Sequence, residues 1–341
     1  MKMKVVPVAE AVGMALPHDI TQILPGEFKG RAFRKGHVIR PEDVEVLLSI
    51  GKEHIGALEL DGMVHEDDAA ARIARAAMGP GLELSEVCEG RINFIAARDG
   101  LFSIDLDLLA EVNATPQTVL STIHTHQYVR KGRPLAGTRV IPLAVPEETV
   151  ASVERACAGR TLLEVKPLRR AKAGIVITGS EVYHGRIEDK FGPVLRRKFG
   201  ELGSDVTAQA LVSDSVDMTV AAIREMLESG CDLIACTGGM SVDPDDQTPS
   251  SIRAAGAELV MYGAPVFPGA MFLLGYIGEV PIMGLPGCVM YYRASIFDLI
   301  VPRVLAGERL TGRDVAALAH GGFCASCKEC RYPVCPFGKG S

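Results

Sequence analysis

Two glycines followed by acidic residues form the segment of this sequence most suited to chemistry. The run from Cys236 to Pro249 reads Cys-Thr-Gly-Gly-Met-Ser-Val-Asp-Pro-Asp-Asp-Gln-Thr-Pro and follows the apolar residues 233–235. Because Gly238 and Gly239 have no Cβ atom, backbone N–H groups there can approach a phosphate closely. The carboxylate of Asp246 can bind Mg²⁺ or position a reacting group. The segment therefore predicts an anion or nucleotide site.

The elements that would position this segment alternate between strand and helix from Ala173 onward. Hydrophobic periodicity predicts strands at 174–178, 206–212 and 233–236 and helices at 191–202 and 216–227. This alternation is typical of an α/β fold with a mainly parallel sheet covered by helices on both faces. Ligands bind such sheets outside the carboxyl ends of the strands. We therefore expect four residues that follow predicted strands to converge there: Glu181, Asp214, Asp246 and Gly287.

Four regions are predicted along the chain. Residues 1–64 form a small segment rich in loops and strands, residues 65–170 a β-rich α+β domain, residues 171–310 the α/β domain and residues 311–341 a cysteine-rich tail. In the second region, Asp99-Gly100 lies between two apolar runs and favours a hairpin turn. In the α/β domain, Thr248-Pro249 is a suitable N-cap and first-turn pair for a short helix.

Composition limits the class of protein. The chain has 341 residues and a formal net charge of −6, which argues against a nucleic-acid-binding surface. The first residues, Met-Lys-Met-Lys-Val-Val-Pro-Val-Ala-Glu, are too soon interrupted by charge to form a secretory signal, so we expect a cytoplasmic protein. Residues 259–278 carry no charge, but glycines and prolines interrupt them, so they predict buried strands and no membrane contact.

The order of several short motifs resembles a known family, the molybdenum cofactor biosynthesis domain of the MoeA, MogA and gephyrin type. The resemblance covers roughly residues 173–307. Five segments carry it: Thr178-Gly-Ser-Glu-Val182, Val212-Ser-Asp214, Thr237 to Asp246, Pro268-Gly269 and Gly284-Leu-Pro-Gly287. A weaker similarity of residues 35–52 to the segment that precedes this domain in the MoeA branch favours that branch.

The resemblance implies a molybdopterin-binding domain whose glycine turns hold the phosphate of the pterin. It implies that Ser241 and Thr178 supply hydroxyl hydrogen bonds. It also implies that Glu181, Asp214 and Asp246 are the catalytic residues and handle Mg²⁺ or the metal oxyanion, with Asp246 as a metal ligand. The implied cofactor-binding residues lie in the turns, namely Thr178, Gly179, Thr237, Gly238, Gly239, Ser241, Pro268, Gly269, Pro286 and Gly287.

The sequence also departs from the family pattern. Cys288 and Val289 replace an asparagine and a proline after the last Pro-Gly, Asp243 replaces a glycine, and Phe267 and Ala270 replace lysines near the earlier Pro-Gly. These losses affect molybdate binding and catalysis more than they affect pterin binding. Four residues have structural alternatives. Asp214 could cap the helix that starts at Ser215, and Glu181 and Asp246 could be solvated acids of the loops. Cys288 could be a small buried filler instead of a reactive thiol.

The tail contains a second pattern of residues that could do chemistry. Cys324, Cys327, Cys330 and Cys335 form a Cys-x2-Cys-x2-Cys-x4-Cys-Pro run. Thiolates at this spacing can bind an iron–sulfur cluster or Zn²⁺. The alternative is a tail that is disordered without metal, since Gly321-Gly322 and Gly338 flank it.

Two functions are compatible with these patterns. The first is an enzyme of molybdenum cofactor biosynthesis that inserts molybdate or tungstate into molybdopterin with Mg²⁺. The second is a non-catalytic carrier or sensor that holds the pterin cofactor and docks on a molybdoenzyme. The resemblance also implies self-association as a homodimer or homotrimer.

Overall fold

The computed structural model describes residues 3–24, 28–58, 62–88, 90–241, 243 and 246–340. These residues divide into two compact units. The first unit comprises described residues within 1–98, 103–123 and 130–165, and the second comprises those within 99–102, 124–129 and 166–341.

Nineteen strands and eleven α-helices are formed by the described residues. The strands are β1 (Met3–Pro7), β2 (Ile20–Leu24), β3 (Phe28–Phe33), β4 (His54–Leu58), β5 (Met63–His65), β6 (Leu82–Leu84), β7 (Arg91–Ala96), β8 (Gly100–Ile104), β9 (Thr118–Thr122), β10 (Gln127–Val129), β11 (Pro134–Val140), β12 (Ala144–Pro146), β13 (Leu163–Lys166), β14 (Lys172–Thr178), β15 (Asp205–Val212), β16 (Leu233–Thr237), β17 (Glu258–Tyr262), β18 (Leu273–Ile277) and β19 (Val280–Leu285). The helices are α1 (Pro41–Ser49), α2 (Glu66–Ala77), α3 (Leu106–Ala114), α4 (Glu147–Cys157), α5 (Ser180–Tyr183), α6 (Phe191–Glu201), α7 (Val216–Glu228), α8 (Thr248–Ala254), α9 (Cys288–Tyr291), α10 (Ile296–Leu305) and α11 (Gly312–Ala316).

The first unit contains a four-stranded antiparallel sheet in the order β6-β7-β11-β9. One face of this sheet is apolar and buried, with Ile92, Phe94 and Leu120 at most 4% exposed, and α2 contacts β7 and β11. Side chains alternate along a strand, so Arg91 and Asn93 lie on the opposite, solvent-facing side. The N-terminal part of the unit adds two two-stranded ladders, β1-β4 and β2-β3, which pack around a small core that includes Leu16 and Leu47.

The hairpin predicted at Asp99-Gly100 is wrong. β7 pairs with β6 and β11, whereas β8 pairs with β10, so the two strands that flank this dipeptide lie in different ladders. Gly100 is the first residue of β8, and it is not among the glycines with positive φ. A two-residue turn of the tight hairpin type needs positive φ at its central residues, and here the glycine continues as extended backbone.

The second unit is built on a six-stranded sheet in the order β15-β14-β16-β19-β18-β17. The first four strands are parallel and the last two pair antiparallel. Alternate residues of β14 enter opposite cores: Ile175 and Ile177 pack with α6 and α10, and Val176 packs with α7 and α8. Both faces are therefore covered, which confirms the predicted fold class of a mainly parallel, helix-covered sheet preceded by a β-rich region.

The uncharged residues 259–278 are accounted for by two antiparallel strands of this sheet, β17 and β18, with the intervening loop. None of the helices in the described part of the chain has the length and apolar character that a membrane crossing requires.

The tail packs on the second unit. The Phe267 N–H donates to Gly322 O and the Cys324 N–H donates to Phe267 O, each at 2.8 Å, which forms a short parallel bridge. Phe337 is 3% exposed within the core that also contains Leu299. The Tyr332 hydroxyl donates to Asp298 O at 3.1 Å. The tail is therefore a folded element of this unit, contrary to the alternative of a disordered segment.

Candidate functional site

The turn after β14 is held by a carboxylate from the neighbouring strand. Asp214 follows β15, and its Oδ2 accepts a hydrogen bond from the Ser180 N–H at 2.8 Å. The alternative that Asp214 caps the next helix is wrong, because Ser215 is the N-cap of α7 and its side chain accepts from the Met218 N–H. Asp214 instead fixes the start of α5, the short helix that carries Glu181.

The two glycines after β16 adopt a conformation that other residues tolerate poorly. Gly238 has φ 85° and Gly239 has φ 52°. A Cβ atom at Gly238 would lie 2.0 Å from the carbonyl oxygen of Thr178, so the turn can pack against β14 only with glycine. The backbone at these positions therefore lies close to the end of the neighbouring strand.

Buried hydroxyl groups connect the turn after β14 with the turn after β16 through hydrogen bonds. The Thr248 hydroxyl donates to Gly238 O at 2.8 Å and lies 3.0 Å from the Thr178 hydroxyl. Thr248 therefore serves the turn and is not the N-cap predicted for α8, which begins after Gln247. Thr237 is fully buried, and its hydroxyl donates to Leu285 O at 3.2 Å. The hydroxyls of Thr178 and Thr237 are thus used within the protein.

Asp246 closes the loop that follows the glycines. Its Oδ2 accepts a hydrogen bond from the Ser241 N–H at 2.8 Å, and its own N–H donates to Asp243 O at 2.9 Å. Val242, Pro244 and Asp245, which belong to the same predicted motif, lie outside the described residues.

These turns border one cavity of about 690 Å³ at the carboxyl ends of the parallel strands. Glu181, Asp214 and Asp246 all line it, as predicted, whereas Gly287, the fourth residue expected to converge here, is not among the lining residues. The other predicted site residues among its lining are Thr178, Gly179, Gly238 and Gly239. Such a volume lies within the range of about 300–1,000 Å³ that is typical of small-molecule sites. The cavity is therefore a candidate ligand site, at the place where open α/β sheets bind ligands.

The remaining predicted residues of the turns are not among those that line this cavity. Ser241 contributes its backbone N–H to the loop, and Pro268 and Gly269 lie against the start of α10, where a Cβ at Gly269 would be 2.5 Å from Ile296. Pro286 and Gly287 precede α9. Cys288 begins that helix, and burial raises the pKa of its thiol, which favours the neutral form and agrees with a filler role.

Several lining residues were not predicted from the sequence. Lys190, Phe191, Ile187, Met290 and Tyr291 border the same cavity. Lys190 and Phe191 stand at the start of α6, and Met290 and Tyr291 belong to α9. The sequence indicates only that these residues lie in or beside the connections between predicted strands and helices. Whether their side chains point into the cavity depends on how the loops fold.

The lining has an acidic character. Four carboxylates border the cavity, from Glu181, Glu188, Asp214 and Asp246, and Lys190 is the only cationic side chain among the described lining residues. Asp214 and Asp246 each accept a backbone N–H with one carboxylate oxygen. Their second oxygens fit a hard cation such as Mg²⁺, which binds proteins through one or two carboxylates and completes its shell with ligand oxygens.

The tail cysteines do not form a ready metal site. All four are free thiols; Cys327 is exposed, and Cys324, Cys330 and Cys335 are half-buried beside the core that contains Phe337. Across the described residues, no group of three or more His, Cys, Asp or Glu side chains is arranged to hold a metal ion.

Comparison with known proteins agrees with this architecture. Residues 174–306 match the family described as a probable molybdopterin binding domain. The part of the second unit that carries the cavity is therefore similar to that family. Residues 5–59 match a separate family described as a domain of unknown function, DUF8806.

Individual relatives cover only part of this chain. A CinA-like protein of Mycobacterium tuberculosis is 40% identical over 92 residues, which are 27% of this chain and 21% of that protein. A CinA-like protein of Mycobacterium avium is 37% identical over 92 residues, with the same coverage. The chain thus spans about a fifth of the length of the curated relatives it matches.

Solved structures show similarity at low sequence identity. The molybdopterin biosynthesis enzyme MoaB of Thermus thermophilus is 19% identical, covering 40% of this chain and 98% of that one, with a TM-score of 0.33. The tungsten cofactor synthesizing protein MoaB of Pyrococcus furiosus is 21% identical, covering 41% and 98%, with a TM-score of 0.34.

Proposed function

We propose that the second unit binds molybdopterin in the cavity at the carboxyl ends of β14, β15 and β16, and that the protein acts in molybdenum or tungsten cofactor biosynthesis. One observation carries this proposal. The segment that matches the molybdopterin-binding family contains a cavity bordered by two glycine turns and the carboxylates of Glu181, Asp214 and Asp246.

The glycine turns supply the features that a phosphate needs. Gly238 and Gly239 border the cavity with backbone rather than side chain, so a phosphate can approach their peptide groups. Lys190 adds a positive charge at the same cavity. Ile187, Phe191 and Tyr291 add apolar surface on which the flat pterin ring can lie.

Mg²⁺ would complete the acidic side of the site. Asp214 and Asp246 are already oriented by backbone N–H donors, so binding a cation would require little further ordering of these side chains. Glu181 lies on the same cavity. When bound, Mg²⁺ would neutralise oxygens of the pterin phosphate or of molybdate. Among the described residues, no group of three or more His, Cys, Asp or Glu side chains encloses a metal, so a cation bound here would share its ligand shell with the pterin.

The activity that these groups support best is insertion of molybdate or tungstate into molybdopterin, a MoeA-like reaction. The decisive experiment is anaerobic incubation of the full-length protein with molybdopterin, Mg²⁺ and molybdate, followed by measurement of metal in the pterin. Asp246→Asn should abolish insertion because it removes the charge while an amide oxygen can still accept from the Ser241 N–H. The matched control is Asp217→Asn, an exposed position in the first turn of α7 that does not line the cavity.

A non-catalytic carrier or sensor is the second candidate. Molybdate is a dianion, and Lys190 is the only cation among the described side chains that line the cavity. The shortage of cations is the observation that supports the carrier, because it disfavours binding of the oxyanion. Bound pterin with no metal insertion by the wild-type protein would support the carrier, and metal insertion would exclude it.

We also propose that the tail binds an iron–sulfur cluster or Zn²⁺ through Cys324, Cys327, Cys330 and Cys335. The spacing of the cysteines supports this proposal, and binding would require the sulfur atoms to move together. Elemental analysis after anaerobic purification should find iron or zinc that is lost in Cys327→Ser. Cys88→Ser, at another exposed free thiol, should keep the metal; equal metal content in all three proteins would contradict the proposal.

We further propose that the protein self-associates as a homodimer or homotrimer and delivers its cofactor to a molybdoenzyme. The domain family supports a role in cofactor biosynthesis, and a cofactor made here must be passed to an acceptor protein. Light scattering on the purified protein tests the first part, since a monomeric mass would contradict it. Transfer of bound cofactor to an apo-molybdoenzyme tests the second.

A further inference from the structure

A second cavity lies on the solvent-facing side of the antiparallel sheet in the first unit. Its volume is about 480 Å³, and it is bordered by β7, β9 and β11. The lining residues used below are Arg91, Asn93, Ser121, Gly137 and Arg139. No acidic side chain is among the described residues that line it.

Two arginines stand directly opposite each other in this cavity. Arg139 of β11 is the register partner of Arg91 of β7, and both side chains are exposed. Like charges directly across a ladder repel each other. An arrangement that costs stability in the free protein favours an anion that bridges the two guanidinium groups.

The charges of these arginines are only weakly compensated by the protein. Arg91 donates from Nε to Asn93 Oδ1 at 3.0 Å, a neutral acceptor. Arg139 has a carboxylate oxygen of Glu66 at 3.8 Å, which is longer than a hydrogen bond. Both guanidinium groups therefore keep donors for a ligand.

Gly137 lies in the cavity lining between these donors and has no side chain to fill the space. It pairs with Asn93 on one side and Ser121 on the other. A Cβ atom at Gly137 would lie 3.1 Å from Asn93 Oδ1 and 3.5 Å from Arg91 Nε, so a side chain there would fill the space over the strand. The glycine has no positive φ, and backbone conformation therefore does not explain its presence. The absence of a side chain instead leaves room for a ligand.

We propose that this cavity binds a phosphate-bearing small molecule, held by Arg91 and Arg139 with Asn93 and Ser121 as additional donors. Two guanidinium forks, an amide and a hydroxyl offer more donors than the two oxygens of a carboxylate can accept, whereas a phosphate presents three or more oxygens. The site lies wholly within the first unit and does not depend on the molybdopterin proposal for the second.

The test measures binding of inorganic phosphate to the full-length protein by calorimetry. Arg91→Gln and Arg139→Gln should each weaken one phosphate site by about tenfold or more, because each removes a charge-assisted donor set. Arg75→Gln changes an exposed arginine of α2 that bonds only Ala71 O among the described groups, and it should leave binding unchanged. Gly137→Ala should weaken the same site without a charge change.

The proposed site in the second unit could also bind phosphate. Phosphate affinity is therefore compared between the wild type and variants altered only in the first unit. Molybdopterin binding should stay at the wild-type level in Arg91→Gln and Arg139→Gln, and circular dichroism should show unchanged folding. The proposal is overturned if the wild type binds no phosphate at this site at millimolar concentration, or if both variants bind as the wild type does. Equal affinity for malonate would overturn the assignment to phosphate, since it would show recognition of negative charge alone.

Discussion

Individual carboxylates at the edge of the parallel sheet combine two roles in this protein. Asp214 and Asp246 each accept a backbone N–H at 2.8 Å, so they fix the turns, and both also line the cavity. A carboxylate bonded in this way is oriented before any ligand arrives. Its structural and ligand-binding contributions can be separated by substitutions that keep or remove the acceptor oxygen.

Asp214→Asn should separate these two roles. Its amide oxygen can still accept from the Ser180 N–H, so we expect the unfolding free energy to stay within about 0.5 kcal/mol of wild type while Mg²⁺-dependent binding of molybdopterin falls. Asp214→Ala removes the acceptor and should cost about 1–3 kcal/mol. Urea unfolding and ligand titration measure the two effects. Wild-type binding by Asp214→Asn would show that the charge has no part in the site.

At the residue scale, the sequence predicts which carboxylates meet but not which side chains complete the cavity. Glu181, Asp214 and Asp246 follow strands that are parallel neighbours, so strand order brings them to the same edge of the sheet. Gly287 also follows a parallel strand but does not line the cavity, so strand order does not decide which of these residues border it. Lys190 borders the cavity from the N-cap position of α6, and Tyr291 from the end of α9. Their directions depend on loop conformations that periodicity does not encode.

At the element scale, the glycine turn after β16 determines how closely two strand ends can approach. Gly238 and Gly230 have nearly the same φ, 85° and 86°, but their surroundings differ. A Cβ at Gly238 would overlap the carbonyl of Thr178, whereas a Cβ at Gly230 meets nothing within 4 Å. An alanine at either position would carry the same backbone strain, but only the alanine at Gly238 would also disturb the packing of the turn. Comparing the two substitutions therefore separates the effect of packing from the effect of strain.

Gly238→Ala should lose ligand binding and stability together. The Gly230→Ala control carries only the strain of a positive φ, about 1–2 kcal/mol, and should keep ligand binding. Gly238→Ala adds displacement of the β14 end and should cost clearly more. Thermal unfolding and molybdopterin titration of both variants check this expectation, and equal effects of the two substitutions would contradict it.

The contact between α2 and α4 should make stability depend on acidity. Arg72 donates to Glu154 at 2.8 and 2.9 Å and to Glu147 at 2.9 Å, and these bonds lower the pKa of both carboxyl groups from the ordinary value of 4.5. A depressed carboxyl pKa contributes stability above the unfolded pKa that is lost as the pH falls through the folded one.

Arg72→Gln should therefore have a lower Tm than wild type near neutral pH. Because both glutamates become protonated in acid, the difference should shrink as the pH falls below about 4.5. Exposed ion pairs contribute little, so the whole effect is small. Tm measured against pH for both proteins tests it, and a constant difference across the range would show that Arg72 acts by packing alone.

Elements were predicted well where burial is periodic and poorly where turn chemistry had to decide. The consecutive apolar residues of β14 and β16 are buried on both faces and leave little doubt about strand type. The dipeptide Asp99-Gly100 gives a local preference for a turn, but the pairing of β7 with β11 and of β8 with β10 overrides it.

At the scale of the whole molecule, the chain adds a folded tail to the α/β domain of the second unit. Phe337 enters the same core as α10, and Tyr332 bonds the backbone of that helix through Asp298 O. The sequence indicated cysteine chemistry for the tail but not this packing, since the apolar residues there are few and show no periodicity. The tail should thus contribute to the stability of the second unit.

Phe337→Ala should lower the unfolding free energy by about 3–5 kcal/mol, the usual cost of emptying a buried aromatic site. Phe323→Ala removes the same side chain from a position that is 75% exposed and should change stability by less than about 0.5 kcal/mol. Urea unfolding of the two variants measures the contrast. A similar small loss for both would show that the tail does not pack as described.

The central claim, that the second unit binds molybdopterin at its glycine turns, is tested most directly by an anaerobic titration of the full-length protein with molybdopterin. We predict saturable binding by the wild type and by Gly230→Ala, and its loss in Gly238→Ala. A folded wild-type protein that binds no molybdopterin, or a folded Gly238→Ala variant that binds it as the wild type does, would contradict the claim.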